Sequence, residues 1–346
     1  MTTNASHKLI LAIETSCDET AAALIDFSDG KITVKSNVIN SQIKLHQKYG
    51  GVVPELAARE HVKNIVPVIH ECLKDGNIKT SEAKNIITAI AVAAGPGLVT
   101  SLVVGVETAK ALSLAWETPL IPINHIEAHI FANFISNESI NLPAIILTVS
   151  GGHTNLMKLD PTYRLEMVGQ TRDDAAGEAF DKAAQLMNLG YPGGPIVSRL
   201  AKEFLMTSGA NNIKLPRPMI ETQNFDFSFS GLKTALLYQL QKDKDWQKRI
   251  PQYCAEFQQA VIDVLVFKTM KAAKKFSIGT VMLAGGVSAN AELRTQLKAS
   301  CEKAGLSFHM PELQYTTDNA AMIGAAACFR QETGLHNIIA KPNLEI

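Results

Sequence analysis

Continuous apolar runs alternate with short polar turns from the start of the chain. Leu9–Ile13 and Ala21–Ile25 have strand length and are joined by Glu14-Thr15-Ser16-Cys17-Asp18-Glu19-Thr20. Lys31–Asn40 follows a turn at Asp29-Gly30 and reads as a third strand. A helix is expected to begin near Pro54, where proline suits the first turn. It continues through Leu56, His61, Ile65 and Val66, with a kink or break at Pro67. Ile86–Ala94 is apolar enough for a strand buried on both faces of a parallel sheet. Gly95-Pro96-Gly97 and a helix over Thr100–Ala115 follow, a glycine turn feeding a helix N-terminus that could receive an anion. The glycines match neither G-x-G-x-x-G nor G-x-x-x-x-G-K-[ST], so neither a Rossmann nor a P-loop assignment holds.

The same design then returns. Pro143–Val149, Ser150-Gly151-Gly152-His153-Thr154 and Asn155–Leu159 repeat the strand, small polar turn and strand of Leu9–Ile25. Thr280–Leu283, Ala284-Gly285-Gly286-Val287-Ser288-Ala289-Asn290 and a helix through Leu297 repeat the strand, glycine turn and helix of Ile86–Ala115. Two copies in the same order predict a duplicated α/β unit with a ligand between the halves. The expected division is 1–130 and 131–318, with a last helix, about 319–346, packing back on the first half. Between the repeats, Asp173-Asp174 opens a helix reaching Leu189, where an acidic first turn suits the helix dipole. Glu178 and Asp181 share one face of it and could hold ribose hydroxyls. Gly190–Pro195 is a rigid loop, and the Phe225, Phe227 and Phe229 side chains read as core. Lys242–Arg249 is a solvated linker, and Asp318 stands where a helix N-cap is expected.

Chemistry enters at Asn124-His125-Ile126-Glu127-Ala128-His129. On a helix His125 and His129 lie one turn apart on one face, a spacing that can grip one metal ion. Glu127 falls about 200° round the helix from His125, so it points away and a zinc-protease reading is set aside. Asp318 could complete a His–His–Asp set. Asp18 and Glu19 could be metal-water ligands or solvated turn carboxylates. At 346 residues, 46% apolar and 19% charged, the chain reads as two globular domains. Its 33 basic and 33 acidic residues cancel, which excludes a broad basic face for nucleic acid and leaves room for a local patch or a basic partner. Five scattered cysteines without a C-x-x-C pair fit a reduced, cytoplasmic setting. No segment approaches about 18 uninterrupted apolar residues, so no membrane span is expected.

Ten ordered motifs, from Glu14–Thr20 and Tyr49–Leu56 through Gly95–Leu98, Asn124-His125 with His129, Ser150–Thr154, Asp173–Lys182, Tyr191–Gly194, Phe227–Lys233 and Ala284–Asn290 to Asp318–Met322, resemble the TsaD family of tRNA N6-adenosine threonylcarbamoyltransferases. Thr100 departs from the family pattern, which has a glycine there. The resemblance implies the duplicated actin/Hsp70/sugar-kinase-like (ASKHA) architecture, with the ligand cleft between its halves. It implies transfer of threonylcarbamoyl from threonylcarbamoyl-AMP to the exocyclic amine of the adenosine 3′ to the anticodon in tRNAs reading ANN codons. His125, His129 and Asp318 would hold one divalent metal, iron (Fe2+) ahead of zinc (Zn2+). Thr148, Val149, Ser150, Gly151, Gly152, Asp181, Gly194 and Asn290 would bind the adenylate, and Asp18 and Glu19 would stand near the reacting amine as catalytic groups. Implied partners are a homologous inactive subunit (TsaB-like) and an ATPase subunit (TsaE-like), with no membrane. A small-molecule kinase of the same architecture and a non-catalytic scaffold subunit are the alternatives. The first gives the two histidines no role, and the intact site residues speak against the second.

Overall fold

The computed structural model describes residues 7–136, 139–207, 210–331 and 338–346. Two compact units emerge, Met1–Ser139 with Pro311–Ile346, and Ile140–Met310. The division falls at 139/140 and 310/311, so Asp318 belongs to the unit that carries His125 and His129. The three therefore come from one unit, although the expected boundary at 130/131 put Asp318 in the other half.

In the first unit a five-stranded sheet has the order β3-β2-β1-β4-β5. Its strands are β1 (Lys8–Glu14), β2 (Glu19–Ser28), β3 (Lys31–Ser41), β4 (Ala89–Gly95) and β5 (Leu120–Asn124). β1, β2 and β3 form an antiparallel meander, while β1, β4 and β5 run parallel. Every residue of β4 is buried, as its unbroken apolar run requires. The second unit repeats this order with β6 (Ala144–Val149), β7 (Thr154–Leu159), β8 (Leu165–Gln170), β9 (Thr280–Ala284) and β10 (Ser307–His309). β6–β7–β8 is the meander, and β6, β9 and β10 are parallel.

Several elements differ from expectation for identifiable reasons. The helix Pro54–Asp75 runs unbroken through Pro67. Ile65, Val68, Ile69, Cys72 and Leu73 are buried on either side of that proline. At about 1.5–3 kcal/mol each, they outweigh the roughly 3 kcal/mol that an internal proline costs. The helix Val99–Trp116 is, by length and composition alone, apolar enough to cross a membrane, with a mean hydropathy of 1.2, where no such segment was expected. It packs beside β4 and the Pro54–Asp75 helix, burying Leu102, Gly105, Val106 and Ala109. The last helix covers Ala320–Ala327 alone. The remainder of the predicted 319–346 helix lies partly outside the described residues, and 338–346 is not helical.

Asp173 does not open the helix that follows it, which spans Ala176–Leu186. Its carboxylate instead accepts from the Ser228 hydroxyl at 2.5 Å, the Phe229 amide at 2.8 Å, and the Ser230 amide and hydroxyl at 3.2 and 2.9 Å. It thereby caps the distant helix Ser230–Lys242, whose own N-cap, Phe229, has no side-chain acceptor. Phe227 and Phe229 behind it are fully buried, as the sequence reading has them. Burial works against the Asp173 carboxylate, but these four bonds together hold its pKa below the usual carboxylate value. Its stabilising effect is therefore fully present above the unfolded pKa, about 3.9, and is lost as pH falls through the lower folded value. Asp173→Ala should cost about 1–2 kcal/mol at pH 7, the range for losing a cap. In urea unfolding the deficit should hold down to about pH 4 and shrink below it. A deficit that grows on acidification would contradict the capping role.

Candidate functional site

β1, β4 and β5 run parallel, so Glu14, Gly95 and Asn124 finish at the same edge of the sheet, the edge where α/β sheets place ligands. Asn124 ends β5 and caps the helix His125–Phe131, its Oδ1 accepting from the Ile126 amide at 2.8 Å and the Glu127 amide at 3.3 Å. The cap fixes the first turn, and one turn of α-helix sets His129 under His125. Their rings meet edge to face, with centroids 4.8 Å apart. Glu127 faces elsewhere, clamped by Arg330 through two 3.0 Å contacts, in keeping with its expected direction.

Asp318 reaches this pair from the loop before the helix Ala320–Ala327. It is not that helix's N-cap. Asn319 is, its Oδ1 accepting from the Met322 amide at 3.0 Å, which leaves the Asp318 carboxylate for the histidines. Asp318 Oδ1 lies 3.5 Å from His125 Nε2 and 3.2 Å from His129 Nε2. One ligand atom from each residue falls within 4.8 Å of the others. His129 is 1% exposed, yet neither of its ring nitrogens has a partner in hydrogen-bonding geometry. Buried imidazole nitrogens aimed at a carboxylate without a hydrogen bond are a costly arrangement for a purely structural role, and one that fits a metal ligand.

A residue that sequence reasoning missed orders this cluster. Glu14, read as part of a polar turn, is fully buried. Its Oε2 accepts from His125 Nδ1 at 3.0 Å, and its Oε1 accepts from the Ser16 amide. The carboxylate holds the Nδ1 proton and turns Nε2 toward Asp318, as carboxylates behind metal-bound histidines do to fix the ring. Burial opposes charge on His125, but Asp318 and Glu14 outweigh it and carry its pKa to about 9. Glu19 is pushed up to about 10 by burial and then by the Asp318 and Asp18 charges. Cys17 is driven up by burial and the same carboxylates, and it lies outside the His125–His129–Asp318 cluster. Glu19 thus stands in the field of both Asp318 and Asp18, within the same unit.

The predicted adenylate residues all lie in the second unit. Thr148 and Val149 end β6, and the Thr148 hydroxyl is buried without a hydrogen-bond partner. The turn after them is closed by a 2.8 Å bond from the Ser150 amide to the His153 carbonyl. Gly151 and Gly152 are exposed with open space over both. Asp181 Oδ1 accepts from the Gly193 amide at 2.7 Å, and the Gly194 amide also bonds it; Glu178 pairs instead with Lys182 at 2.8 Å. Asn290 is occupied structurally. It caps the helix Ala291–Lys303 and donates to Ser198 Oγ and Gln258 Oε1 at 2.8 and 2.9 Å.

The family model TsaD, tRNA N6-adenosine threonylcarbamoyltransferase, matches residues 33–325. The chain belongs to that family. A tRNA N6-adenosine threonylcarbamoyltransferase of Syntrophomonas wolfei is 49% identical over 93% of this chain and 92% of its own length. One of Thermosipho africanus is 46% identical over 98% and 100%. A crystal structure of full-length HypF in the phosphate- and nucleotide-bound form matches with a TM-score of 0.62 at 12% identity, over 95% of this chain and 47% of that one. That likeness is one of fold, and the repeated sheet order is the duplicated ASKHA architecture.

In this TsaD-family chain the loop glycines divide the work differently from the sequence reading. Gly151 itself does not take up a positive φ. The constrained positions are neighbours. Gly285 has φ +86°, and a Cβ there would sit 2.4 Å from the Val149 carbonyl oxygen. A Cβ on Gly177 would lie 2.5 Å from the Ser150 carbonyl oxygen and 2.8 Å from Gly151 Cα. Gly177→Ala must therefore displace backbone and should lose about 1–3 kcal/mol, whereas Gly151→Ala should stay within about 0.5 kcal/mol of wild type. Urea unfolding of the two variants checks this, and equal stabilities would show that the helix does not brace the loop.

Proposed function

We propose that this chain transfers the threonylcarbamoyl group of threonylcarbamoyl-AMP to the N6 amine of the adenosine 3′ to the anticodon in tRNAs reading ANN codons. Membership of the TsaD family carries the reaction class. The observation that supports its placement is the buried His129 imidazole, without a hydrogen bond and 3.2 Å from Asp318 Oδ1, with His125 locked by Glu14. His125, His129 and Asp318 would hold one divalent ion, and two neutral imidazoles with a carboxylate suit Fe2+ first and Zn2+ second. Such an ion, when bound, supplies Lewis-acid stabilisation of oxygen atoms that gain charge.

The remaining work falls to the chain. An amine on an aromatic ring is a weak nucleophile, so positioning it against the carbonyl is worth more than activating it. We assign Asp18 and Glu19 to orienting that amine, with Asp18 taking up its proton and Glu19, held protonated by burial and the neighbouring carboxylates, serving as a hydrogen-bond donor. The open Gly151-Gly152 loop, backed by Thr148 and Val149, leaves backbone amides free to meet the adenylate's phosphate. Asp181, which presents Gly193 and Gly194, and Asn290, which braces the Ser198 helix, serve the adenylate by shaping the loops around it. A kinase reading leaves the His–His–Asp cluster unused, and a scaffold reading leaves its buried nitrogens without purpose.

The reaction is assigned to the cytoplasm and to a complex. Zero net charge gives no attraction for a polyanion. Val62 and Val66 on the Pro54–Asp75 helix, and Val99 and Val103 on the adjacent Val99–Trp116 helix, are exposed apolar side chains of the kind that a partner covers. They support a homologous (TsaB-like) subunit on that face, with an ATPase (TsaE-like) subunit as the third component.

The test combines purified chain, preformed threonylcarbamoyl-AMP and tRNA, with and without these partners, read by mass spectrometry of the tRNA nucleosides. Multiple turnover is expected only with partners present, and His129→Ala and Asp318→Ala should each lose bound metal and at least about 100-fold in rate. Efficient turnover by the isolated chain at physiological salt would remove the partner requirement. No modified adenosine under any combination would remove the transferase reading, and unchanged metal content in both variants would remove the metal site.

A further inference from the structure

Three consecutive residues of the turn after β1 are held from one side by the segment 41–61. The Ser41 hydroxyl donates to Glu19 Oε1 at 2.9 Å, and the Gln42 amide donates to the Asp18 carbonyl at 3.0 Å. His61 Nε2 donates to the Cys17 carbonyl at 3.0 Å. His61 is fully buried on the Pro54–Asp75 helix, with the Thr20 hydroxyl 2.8 Å from its Nδ1. A carbonyl oxygen can only accept, so the ring proton sits on Nε2 and Nδ1 receives the Thr20 hydroxyl. Burial keeps the His61 pKa below its ordinary value, which agrees with a neutral ring.

A second fully buried histidine continues the pattern. The Val53 amide donates to His46 Nδ1 at 3.3 Å, which puts the His46 proton on Nε2, where it is donated to Gln42 Oε1 at 3.1 Å. That orientation sends Gln42 Nε2 to the Ala57 carbonyl at 3.3 Å, with His61 Nδ1 at 3.5 Å. Every donor therefore meets an acceptor in one direction only, from Val53 through His46 to Gln42, and from Thr20 through His61 to Cys17. Satisfied buried networks of this kind rigidify what they join.

We propose that His61, backed by Gln42 and His46, is a positioning residue for the transfer, fixing the Cys17–Glu19 turn to the loop 47–53 and so holding Asp18 and Glu19 in place. The proposal rests on the transferase reading of those carboxylates, and its experiment has one arm that does not. Nitrogen-15 correlation spectra of the wild-type histidine rings at neutral pH should show both His61 and His46 as neutral Nε2–H tautomers. An Nδ1–H tautomer or an imidazolium at His61 overturns the network whatever the protein's activity.

The second arm uses the reconstituted reaction. His61→Ala should lower kcat by about 30–100-fold, the scale on which small misplacements act, with KM for threonylcarbamoyl-AMP within about threefold. His61→Gln carries an amide N–H to the place of Nε2 and should recover most of the lost kcat. His61→Asn carries its N–H to the place of Nδ1 and should not. If the alanine variant does not fold, the Gln and Asn pair still decides, since both keep a polar side chain. Equal kcat in the Gln and Asn variants, or a loss confined to KM, overturns the positioning role. An inactive wild type would count against the transferase reading alone, and the tautomers would then settle the network by themselves.

Discussion

A carboxylate with no contact with water, Glu14, sets the terms for the first unit. Ionised groups are taken out of solvent only when paired and hydrogen-bonded, and Glu14 is satisfied by the Ser16 amide on one oxygen and His125 Nδ1 on the other. The pair ties the end of β1 to the end of β5 across β4. It fixes which nitrogen of His125 is left over, and hence where Asp318 finds it. Removing one partner of such a pair typically costs about 3–5 kcal/mol, because the other charge is stranded. The helix cap at Asn124 and the cap at Asn319 then bring His129 and Asp318 to the same point from distant parts of the chain.

The second unit uses the same sheet order for a different purpose. β6 occupies the place of β1, but its end delivers Val149-Ser150-Gly151-Gly152 where β1 delivers Glu14-Thr15-Ser16. One turn closes over a buried carboxylate; the other stays open at Gly151 and Gly152. The parallel strands that follow, β4 and β9, each run into a positive-φ glycine, Gly95 and Gly285, pressed against neighbouring backbone. A duplicated scaffold thus presents a buried His–His–Asp cluster in one copy and an open glycine loop in the other.

Much of this was legible from residues alone. Unbroken apolar runs such as β4 can only be buried strands, and the repeat of strand, turn and strand exposed the duplication. The histidine pair followed from helical spacing, and Glu127 was excluded by the same geometry. What the sequence concealed depends on contacts distant along the chain. Nothing local separates Glu14 from an ordinary turn carboxylate, and Asp318 and Asn319 are adjacent and equally good caps. Asp173 looks like a first-turn acid and instead serves a helix more than fifty residues away. Pro67 breaks a helix by local rules, and burial on both sides of it overrules them. Gly177 and Gly285 constrain the loop through close approach, which no motif at Gly151 reveals.

The metal centre proposed is a nitrogen–nitrogen–oxygen site of His125, His129 and Asp318, with Cys17 outside the cluster. X-ray absorption at the metal edge, on protein loaded anaerobically with one equivalent of iron(II), tests it most directly. The account expects scattering from two imidazoles and otherwise oxygen, with the imidazole signal halved in His129→Ala. A sulfur shell, or an imidazole signal unchanged in that variant, would contradict it.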